Sequence, residues 1–312
     1  MIIRGEQDVT TAVLSELDHV TDPRRRELLR SAVSHLHAFV RETRLTELEF
    51  QQACRIVARL GQLTTASHNE VVLTAGSLGV SQLVSLLNNA NGGRESTTAN
   101  LMGPFWREGA PELSNGASLL RADTPGEPLF VRATVVTPAG KLLEGARVDV
   151  WHASAEGLYE NQDPGQPDLN LRGTFRTDAA GQVWFTTIKP APYPVPVDGV
   201  AGDLLRVQGR HNMRPAHVHF LVSHPGWKTQ FSQVYVHDDP YLHSDAQFGV
   251  TAATVGTYVR HAGEPAPDGS TPPVWHSLEH RFTVQPGEDR LPPAPVRGKA
   301  GERAGIVRLE PR

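Results

Sequence analysis

The stretch that best indicates the fold is "AHVHFLVS", residues 216–223, a short apolar run typical of a buried strand. It contains two histidines, His217 and His219, separated by one residue. On a strand, residues i and i+2 point to the same face, so one metal ion would reach both imidazoles. The same spacing in the helical segment containing His35 and His37 turns the side chains about 200° apart. Two core histidines satisfied by hydrogen bonds remain an alternative interpretation of the strand pair.

Similar short runs of strand type surround this stretch, and turn residues separate them. The run "ARVDVWHAS", residues 146–154, alternates apolar and polar residues as a half-buried strand does. Short strands with turn signals and no intervening helices predict an antiparallel β-sandwich or barrel. The other predicted strands are residues 129–137, 182–188, 231–237 and 276–284.

The first ninety residues instead have helical periodicity. Four helices are predicted, over residues 8–20, 23–43, 46–63 and 69–89. Thr46 and Glu49 form a capping-box pattern at the start of the third helix. The turn-rich "NANGGREST", residues 89–97, marks a boundary. The sequence therefore predicts an α+β chain with a helical linker domain over residues 1–100 and a β-sandwich domain over residues 101–312.

The bulk composition excludes several classes of function. The net charge of the 312 residues is -4, so we expect no nucleic-acid partner. Cys54 is the single cysteine, which excludes an intrachain disulfide and fits a reducing compartment. No apolar run has the length of a signal peptide or of a membrane span. These features predict a cytoplasmic protein that does not bind membranes.

The residues that would complete a metal site with the histidine pair are restricted by the sequence. A zinc site with cysteines is excluded by the lone Cys54, which falls in a predicted helix. A cupin site needs a glutamate shortly after the histidines, and none occurs between His219 and Glu264. Two carboxylates, Asp238 and Asp239, follow a predicted strand and are available as ligands.

Tyrosines offer a second possibility, since the chain has only five of them. Tyr193 lies in "IKPAPYPVPVDG", where alternating prolines would hold the loop extended and present one side chain at a fixed point. Tyr159 lies in the turn-rich segment after residue 154. Each tyrosine alone is as easily a packed core residue. Two phenolates with two imidazoles would form an N₂O₂ set that favours ferric iron.

Five segments of the chain resemble the intradiol ring-cleaving dioxygenases. They are "MGPFWREGAP", "VDVWHASAEGLY", "NLRGTFRTDAAGQVWFTTIKPAPYPVP", "GRHNMRPAHVHFLVSHPG" and "DDPYLHSDAQFGV", and the resemblance extends from about residue 8 to residue 285. It implies one Fe(III) per subunit, an aromatic diol and O₂ as substrates, and a homodimer formed through the N-terminal helices. The ligands it implies are Tyr159, Tyr193, His217 and His219.

The resemblance also implies roles for residues beside the metal. Arg214 matches the arginine next to the bound substrate, and Gln233 matches an active-site glutamine that orients Arg214 or a histidine. Tyr193 matches the tyrosinate that leaves the metal and serves as a base. The pocket walls implied are Leu73, Gly76, Leu101, Pro104, Phe105, Val195, Pro196 and Gln247.

Within this family the segments around both tyrosines are most similar to hydroxyquinol 1,2-dioxygenases. The expected product is 3-hydroxy-cis,cis-muconate, which tautomerises to maleylacetate. Gly76 replaces an aspartate that many of those enzymes carry, so we expect an enlarged pocket at Gly76. Those enzymes also tend to have an aliphatic residue near Gln247. Catechol or a substituted catechol therefore stays open as substrate. Two alternatives belong to other classes of protein. One is a non-catalytic sandwich that binds a ligand, and the other is a zinc hydrolase at the same histidines.

Overall fold

The computed structural model describes residues 2–89 and 98–311. The chain forms two compact units, Met1–Ala58 and Arg59–Arg312. Residues 90–97 of the predicted turn-rich boundary lie outside the described residues, and the predicted domain division at residue 100 stays a prediction.

The first unit consists of helices, as the periodicity predicts. They are α1 (Glu6–Glu16), α2 (Pro23–Thr43) and α3 (Glu47–Gln62), the last of which continues into the second unit. The side chain of Asp22 accepts a hydrogen bond from the backbone N–H of Arg25 and caps α2. At α3 the backbone N–H of Thr46 donates to Glu49, and that of Glu49 donates to Thr46. The predicted capping box is confirmed.

The predicted fourth helix is wrong as a single element. It consists of α4 (Glu70–Ser77) and α5 (Val80–Asn89), which meet at an angle of 77°. Gly79 lies between them with a φ of +73°, a left-handed conformation that ends a helix and favours glycine. Across residues 2–89 and 98–311, no single helix is long and apolar enough to cross a membrane. The bent pair α4 and α5 passes that test by length and composition alone.

Two packed sheets form most of the second unit. One has the order β10-β11-β1-β4 and the other β3-β2-β7-β8-β9, while β5 and β6 form a separate two-stranded ribbon. The elements are β1 (Pro128–Val136), β2 (Arg147–His152), β3 (Arg172–Arg176), β4 (Gln182–Ile188), β5 (Tyr193–Pro194), α6 (Val200–Val207), β6 (Met213–Arg214), β7 (His217–His224), β8 (Trp227–Val236), β9 (Val255–Gly256), β10 (Tyr258–Ala262) and β11 (Val274–Thr283).

The predicted sandwich is confirmed, but its sheets are mixed. Strand β1 pairs with β11 in parallel, and β8 pairs with β9 in parallel. Long connections make this possible, because parallel neighbours need only enough intervening chain to return to the same end of the sheet. Helix α6 also interrupts the run of strands, contrary to the prediction that no helix intervenes. Strands β3 and β10 escaped prediction because "RGTFR" and "YVRHA" are short and do not alternate between apolar and polar residues.

Strand β7 explains how a buried strand accommodates two imidazoles. Val218, Phe220 and Val222 belong to the core between the two sheets. The alternate face carries His217, His219 and Leu221, and Leu221 belongs to a second apolar cluster that contains Tyr159 and Tyr193. Because side chains alternate along a strand, β7 serves two cores at once. The histidines therefore face the loops that cover the outer side of the five-stranded sheet.

Candidate active site

Strand β7 holds two histidine rings in defined orientations. The Nε2 atoms of His217 and His219 lie 3.1 Å apart, and both side chains are buried. The Nδ1 atom of His217 lies 2.7 Å from the carbonyl oxygen of Pro215. A carbonyl oxygen only accepts, so Nδ1 carries the proton and Nε2 keeps a free lone pair. The His219 ring stacks on Trp151 with a centroid distance of 4.6 Å.

Two tyrosines complete the cluster from loops rather than from the main sheets. Tyr159 follows β2, and its backbone N–H donates to the side-chain oxygen of Gln162 at 3.1 Å. Tyr193 lies in the short strand β5, which pairs with β6. The hydroxyl oxygens of Tyr159 and Tyr193 are 3.2 Å apart, and Nε2 of His219 is 3.0 Å from the Tyr159 oxygen. The four predicted ligand side chains are thus brought together.

The spacing of these donor atoms fits one metal ion. Donors bonded to the same ion at about 2 Å lie about 3 Å from each other, which matches the distances of 3.0–3.2 Å in this cluster. Within the described ranges, histidine, cysteine, aspartate and glutamate side chains alone form no group of three that would hold a metal. A metal site here therefore depends on the tyrosines, and phenolate oxygens with imidazole nitrogens suit ferric iron.

Burial controls the protonation of this cluster. It lowers the pKa of His217 to about 3, together with the charge of Arg214, and it lowers the pKa of His219 well below its usual value. Both rings are neutral near pH 7, the form that binds metal ions. Burial and the adjacent Tyr193 raise the pKa of Tyr159. A phenolate at this position therefore needs a cation beside it, which a bound metal ion would supply.

Arg214 is buried directly behind the tyrosines. Its Nε and Nη2 atoms donate to both carboxylate oxygens of Asp245, at 2.9 and 3.0 Å. Nη2 also donates to the side-chain oxygen of Gln233 at 2.8 Å and to the hydroxyl of Tyr235 at 2.7 Å. Nη1 lies 3.4 Å from the hydroxyl of Tyr193. These partners fix the guanidinium so that one edge faces the candidate ligands.

Two members of this network escaped the sequence analysis. Tyr235 is two residues after Gln233 on β8 and so shares its face, a signal that strand periodicity offers. Asp245 lies in a loop, where no periodicity identifies it. The carboxylates of Asp238 and Asp239 lie elsewhere: Asp238 is exposed, and Asp239 accepts hydrogen bonds from the backbone N–H groups of Ala216 and Tyr241.

A buried ion pair fixes the loop that carries Tyr159. Arg172 donates from Nε to Glu160 at 2.6 Å, from Nη1 to the carbonyl oxygen of Phe105 at 2.7 Å and from Nη2 to Asn161 at 3.1 Å. The Phe105 ring in turn stacks on Tyr159 with a centroid distance of 4.5 Å. One guanidinium thus joins the residues after Tyr159 to a predicted pocket wall.

Several other predicted wall residues lie close to this cluster. Leu73, Phe105 and Val195 share the apolar cluster of both tyrosines. The carbonyl oxygen of Leu101 accepts from Nε2 of Gln233 at 2.7 Å. Pro104 is buried, whereas Pro196 is half-buried and lines, with Val195, a separate cavity of about 340 Å³.

The expectation that Gly76 enlarges the pocket is wrong, because Gln247 fills that space. A Cβ atom at Gly76 would lie 1.7 Å from the side-chain oxygen of Gln247. The Gln247 amide group is held there by donating to the hydroxyl of Ser77 at 2.8 Å and to the carbonyl oxygen of Leu73 at 3.3 Å. The missing Cβ atom of Gly76 therefore leaves room for the Gln247 carboxamide.

Two family models match the chain. The family described as "Dioxygenase" matches residues 101–279, and "Catechol dioxygenase N terminus" matches residues 22–95. The first match covers more than half of the 312 residues. The chain belongs to the intradiol ring-cleaving dioxygenases.

Individual relatives cover most of the chain. The hydroxyquinol 1,2-dioxygenase of Rhizobium sp. strain MTP-10005 is 39% identical over 258 residues, covering 82% of this chain and 86% of that protein. The catechol 1,2-dioxygenase of Candida albicans strain SC5314 is 37% identical over 246 residues, covering 78% and 81%. The crystal structure of hydroxyquinol 1,2-dioxygenase from Pseudomonas putida DLL-E4 matches with a TM-score of 0.79 at 33% identity, covering 90% of this chain and 99% of that one.

Proposed function

We propose that this protein is a ferric dioxygenase that opens hydroxyquinol, 1,2,4-trihydroxybenzene, between its two adjacent hydroxylated carbons. The observation that carries the proposal is the convergence of two imidazole nitrogens and two phenol oxygens within 3.0–3.2 Å, with a buried arginine beside them. Both atoms of O₂ enter the product, 3-hydroxy-cis,cis-muconate, so the reaction needs no external reductant.

Tyr159, Tyr193, His217 and His219 would hold one Fe(III) per subunit. When bound, the ferric ion supplies Lewis acidity, which favours the ionised forms of phenols at neutral pH. The neutral state of both imidazoles supports this assignment, because their lone pairs are available without loss of a proton. The raised pKa of the buried Tyr159 means that its phenolate form depends on a nearby cation, which the ferric ion would supply.

Three residues would act on the substrate or through a neighbour. The Tyr193 oxygen, as phenolate, would accept a proton from a substrate hydroxyl. The guanidinium of Arg214, 3.4 Å from that oxygen, would stabilise negative charge on the bound ring. Gln233 would orient Arg214, because its side-chain oxygen accepts from Nη2 while its Nε2 donates to the backbone.

The choice of hydroxyquinol is supported by the names of similar proteins. Four relatives that are 34–39% identical are hydroxyquinol 1,2-dioxygenases. A second candidate, catechol or a substituted catechol, is favoured by the Gly76 and Gln247 contact, which puts a carboxamide where the pattern has an aspartate. We propose that eight pocket-wall residues discriminate between these rings: Leu73, Gly76, Leu101, Pro104, Phe105, Val195, Pro196 and Gln247.

An oxygen-uptake screen of the iron-loaded protein tests the proposal. The substrates are hydroxyquinol, catechol, methylcatechols, chlorocatechols and pyrogallol, and we expect the highest kcat/KM for hydroxyquinol with one O₂ consumed per ring. The iron-loaded protein should absorb visible light through tyrosinate-to-iron charge transfer. Tyr193→Phe should bleach or shift that band. Tyr241→Phe is the control and should leave the band unchanged, because the Tyr241 ring lies against His211. A colourless and inactive protein after iron loading overturns the proposal.

The same proposal includes a homodimer, formed through the N-terminal helices, that is located in the cytoplasm. Helices α2 and α3 contain no buried residue and expose large apolar side chains, which a second subunit would cover. These include Leu36, Phe39, Val40, Phe50, Ile56 and Val57. Sedimentation velocity should give a dimer, and Phe50→Glu should give a monomer. The exposed free thiol of Cys54 fits a reducing compartment.

A further inference from the structure

We propose that residues 295–309, the C-terminal strap, are a positioning element that holds both tyrosine-bearing segments at a fixed separation. The proposal rests on the proposed role of Tyr159 and Tyr193 as iron ligands. The strap contains no helix or strand, and it lies beyond the residues 101–279 matched by the family model. Its function therefore has to be inferred from what its backbone and side chains contact.

One half of the strap binds the segment that follows Tyr159. The backbone N–H of Ala300 donates to the carbonyl oxygen of Asn161 at 2.8 Å, and that of Ala304 donates to Gln162, also at 2.8 Å. Arg303 pairs with Asp163 at 3.4 Å. Gln162 is the residue whose side chain accepts from the backbone of Tyr159, so the strap contacts the residues that orient this tyrosine.

The other half of the strap binds the segment of Tyr193 through one buried side chain, Asn212. Its Nδ2 atom donates to the carbonyl oxygens of Val195 at 2.7 Å and Val307 at 2.9 Å. Its Oδ1 atom accepts from the backbone N–H of Leu309 at 2.9 Å. Asn212 is fully buried, and its own carbonyl oxygen accepts from the N–H of Val195 at 2.8 Å.

The strap is also fixed at its beginning. The backbone N–H of Arg297 donates to the carbonyl oxygen of Ala66 at 2.8 Å, and Asn69 donates to the carbonyl oxygen of Pro295 at 3.4 Å. A single stretch of fifteen residues thus contacts the base of α4 and then the two tyrosine segments in turn. Neither tyrosine segment belongs to the two main sheets. The strap contacts therefore do for these segments what the sheet hydrogen bonds of β7 do for the histidines.

Proline substitutions test the two halves separately, because proline lacks the N–H group. Ala304→Pro removes the donor to Gln162, and Leu309→Pro removes the donor to Asn212. Glu302→Pro is the matched control, since this exposed residue's N–H donates to nothing in residues 2–89 and 98–311. All three variants keep Asn212 and the four candidate ligands.

The first measurement is hydrogen exchange of the metal-free protein. We expect Ala304→Pro to speed exchange in residues 159–163, and Leu309→Pro to speed it in residues 193–197, each by about tenfold. Glu302→Pro should leave both segments unchanged. Equal exchange in all three variants and the unsubstituted protein overturns the strap's role, as does an effect of Glu302→Pro as large as the other two.

The second measurement is the visible absorption of the iron-loaded variants together with kcat. The strap's positioning role predicts a shifted tyrosinate band and a lower kcat in Ala304→Pro and Leu309→Pro, at unchanged thermal stability of the sandwich. Faster exchange with an unchanged band and kcat overturns the positioning role. If the unsubstituted protein has no tyrosinate band, the iron-ligand assignment fails, whereas the exchange result still decides whether the strap holds these segments.

Discussion

The two pairs of candidate ligands are held in different ways. His217 and His219 lie on β7, which pairs with β2 on one side and β8 on the other over most of its length. Tyr159 lies in a loop, and Tyr193 lies in a strand of two residues. The central strand fixes the histidine spacing through its own periodicity, whereas each tyrosine depends on contacts from distant parts of the chain.

This difference identifies where the site is robust and where it is sensitive. The histidine pair needs only the sheet, and the hydrogen bond from His217 to Pro215 is local. The tyrosine pair needs the ion pair of Arg172 with Glu160 and the side chain of Asn212. Changes far from the four candidate ligands should therefore act mainly on the tyrosines, and changes to the backbone pairing of β7 should act first on the histidines.

The largest expected effect is on iron binding by the histidine pair of β7. Replacing His217 with Ala removes one of two strand-borne nitrogens, and we expect iron affinity to fall by about 100-fold or more, since even indirect neighbours of a metal cost 10–100-fold. Iron content after dialysis against a chelator measures this loss. His224→Ala, at the far end of the same strand, is the matched control and should retain iron. Equal iron content in both variants would exclude His217 as a ligand.

The next effect concerns Arg214, whose guanidinium lies next to both Tyr193 and His217. Arg214→Lys keeps a positive charge but loses the fork that donates to Asp245, Gln233 and Tyr235. We expect kcat to fall by about 100-fold, the loss typical of one preorganised charge-stabilising donor. Iron content should stay unchanged, because the arginine is not a ligand. Loss of iron together with kcat would show that Arg214 supports the metal site rather than the reaction.

The same contrast explains how much the sequence could predict. Strand periodicity placed His217 and His219 on one face, and β4 begins and ends at the predicted residues. Residue chemistry suggested Tyr159 and Tyr193 as partners of the histidines but left each as easily a packed core residue. Only the family's motifs favoured them as ligands, because loop geometry follows from contacts distant in sequence. Asp245 is 31 residues from Arg214, and no local pattern connects them. Gly79 carried the signal that splits the predicted fourth helix, but a glycine in an apolar helical pattern is often tolerated.

The pocket wall at Gly76 gives a smaller effect. Gly76→Ala forces its new methyl group against the Gln247 carboxamide, so we expect the free energy of unfolding to fall by about 1–3 kcal/mol. Gln247→Ala in the same chain should remove the clash and recover most of that loss, which a double-mutant cycle in denaturant measures. Gly61→Ala is the control, because nothing lies within 4 Å of its Cβ position. Additive effects of the Gly76 and Gln247 changes would contradict the contact.

The smallest expected effect comes from removing one contact of the loop that carries Tyr159. Gln162→Leu removes the acceptor for the backbone N–H of Tyr159, and a buried donor without a partner costs about 1–3 kcal/mol. Because this loss is local, we expect the tyrosinate band to shift and iron affinity to fall by about tenfold or less, since 1.4 kcal/mol corresponds to a factor of ten. Asp168→Asn, on the same loop, weakens only the ion pair between its 60% exposed carboxylate and Arg107, which keeps its hydrogen bonds to Glu160, and should change neither quantity measurably. An unshifted band in Gln162→Leu would mean that Tyr159 keeps its place without this hydrogen bond, through the remaining contacts of its loop with Arg172 and with the strap.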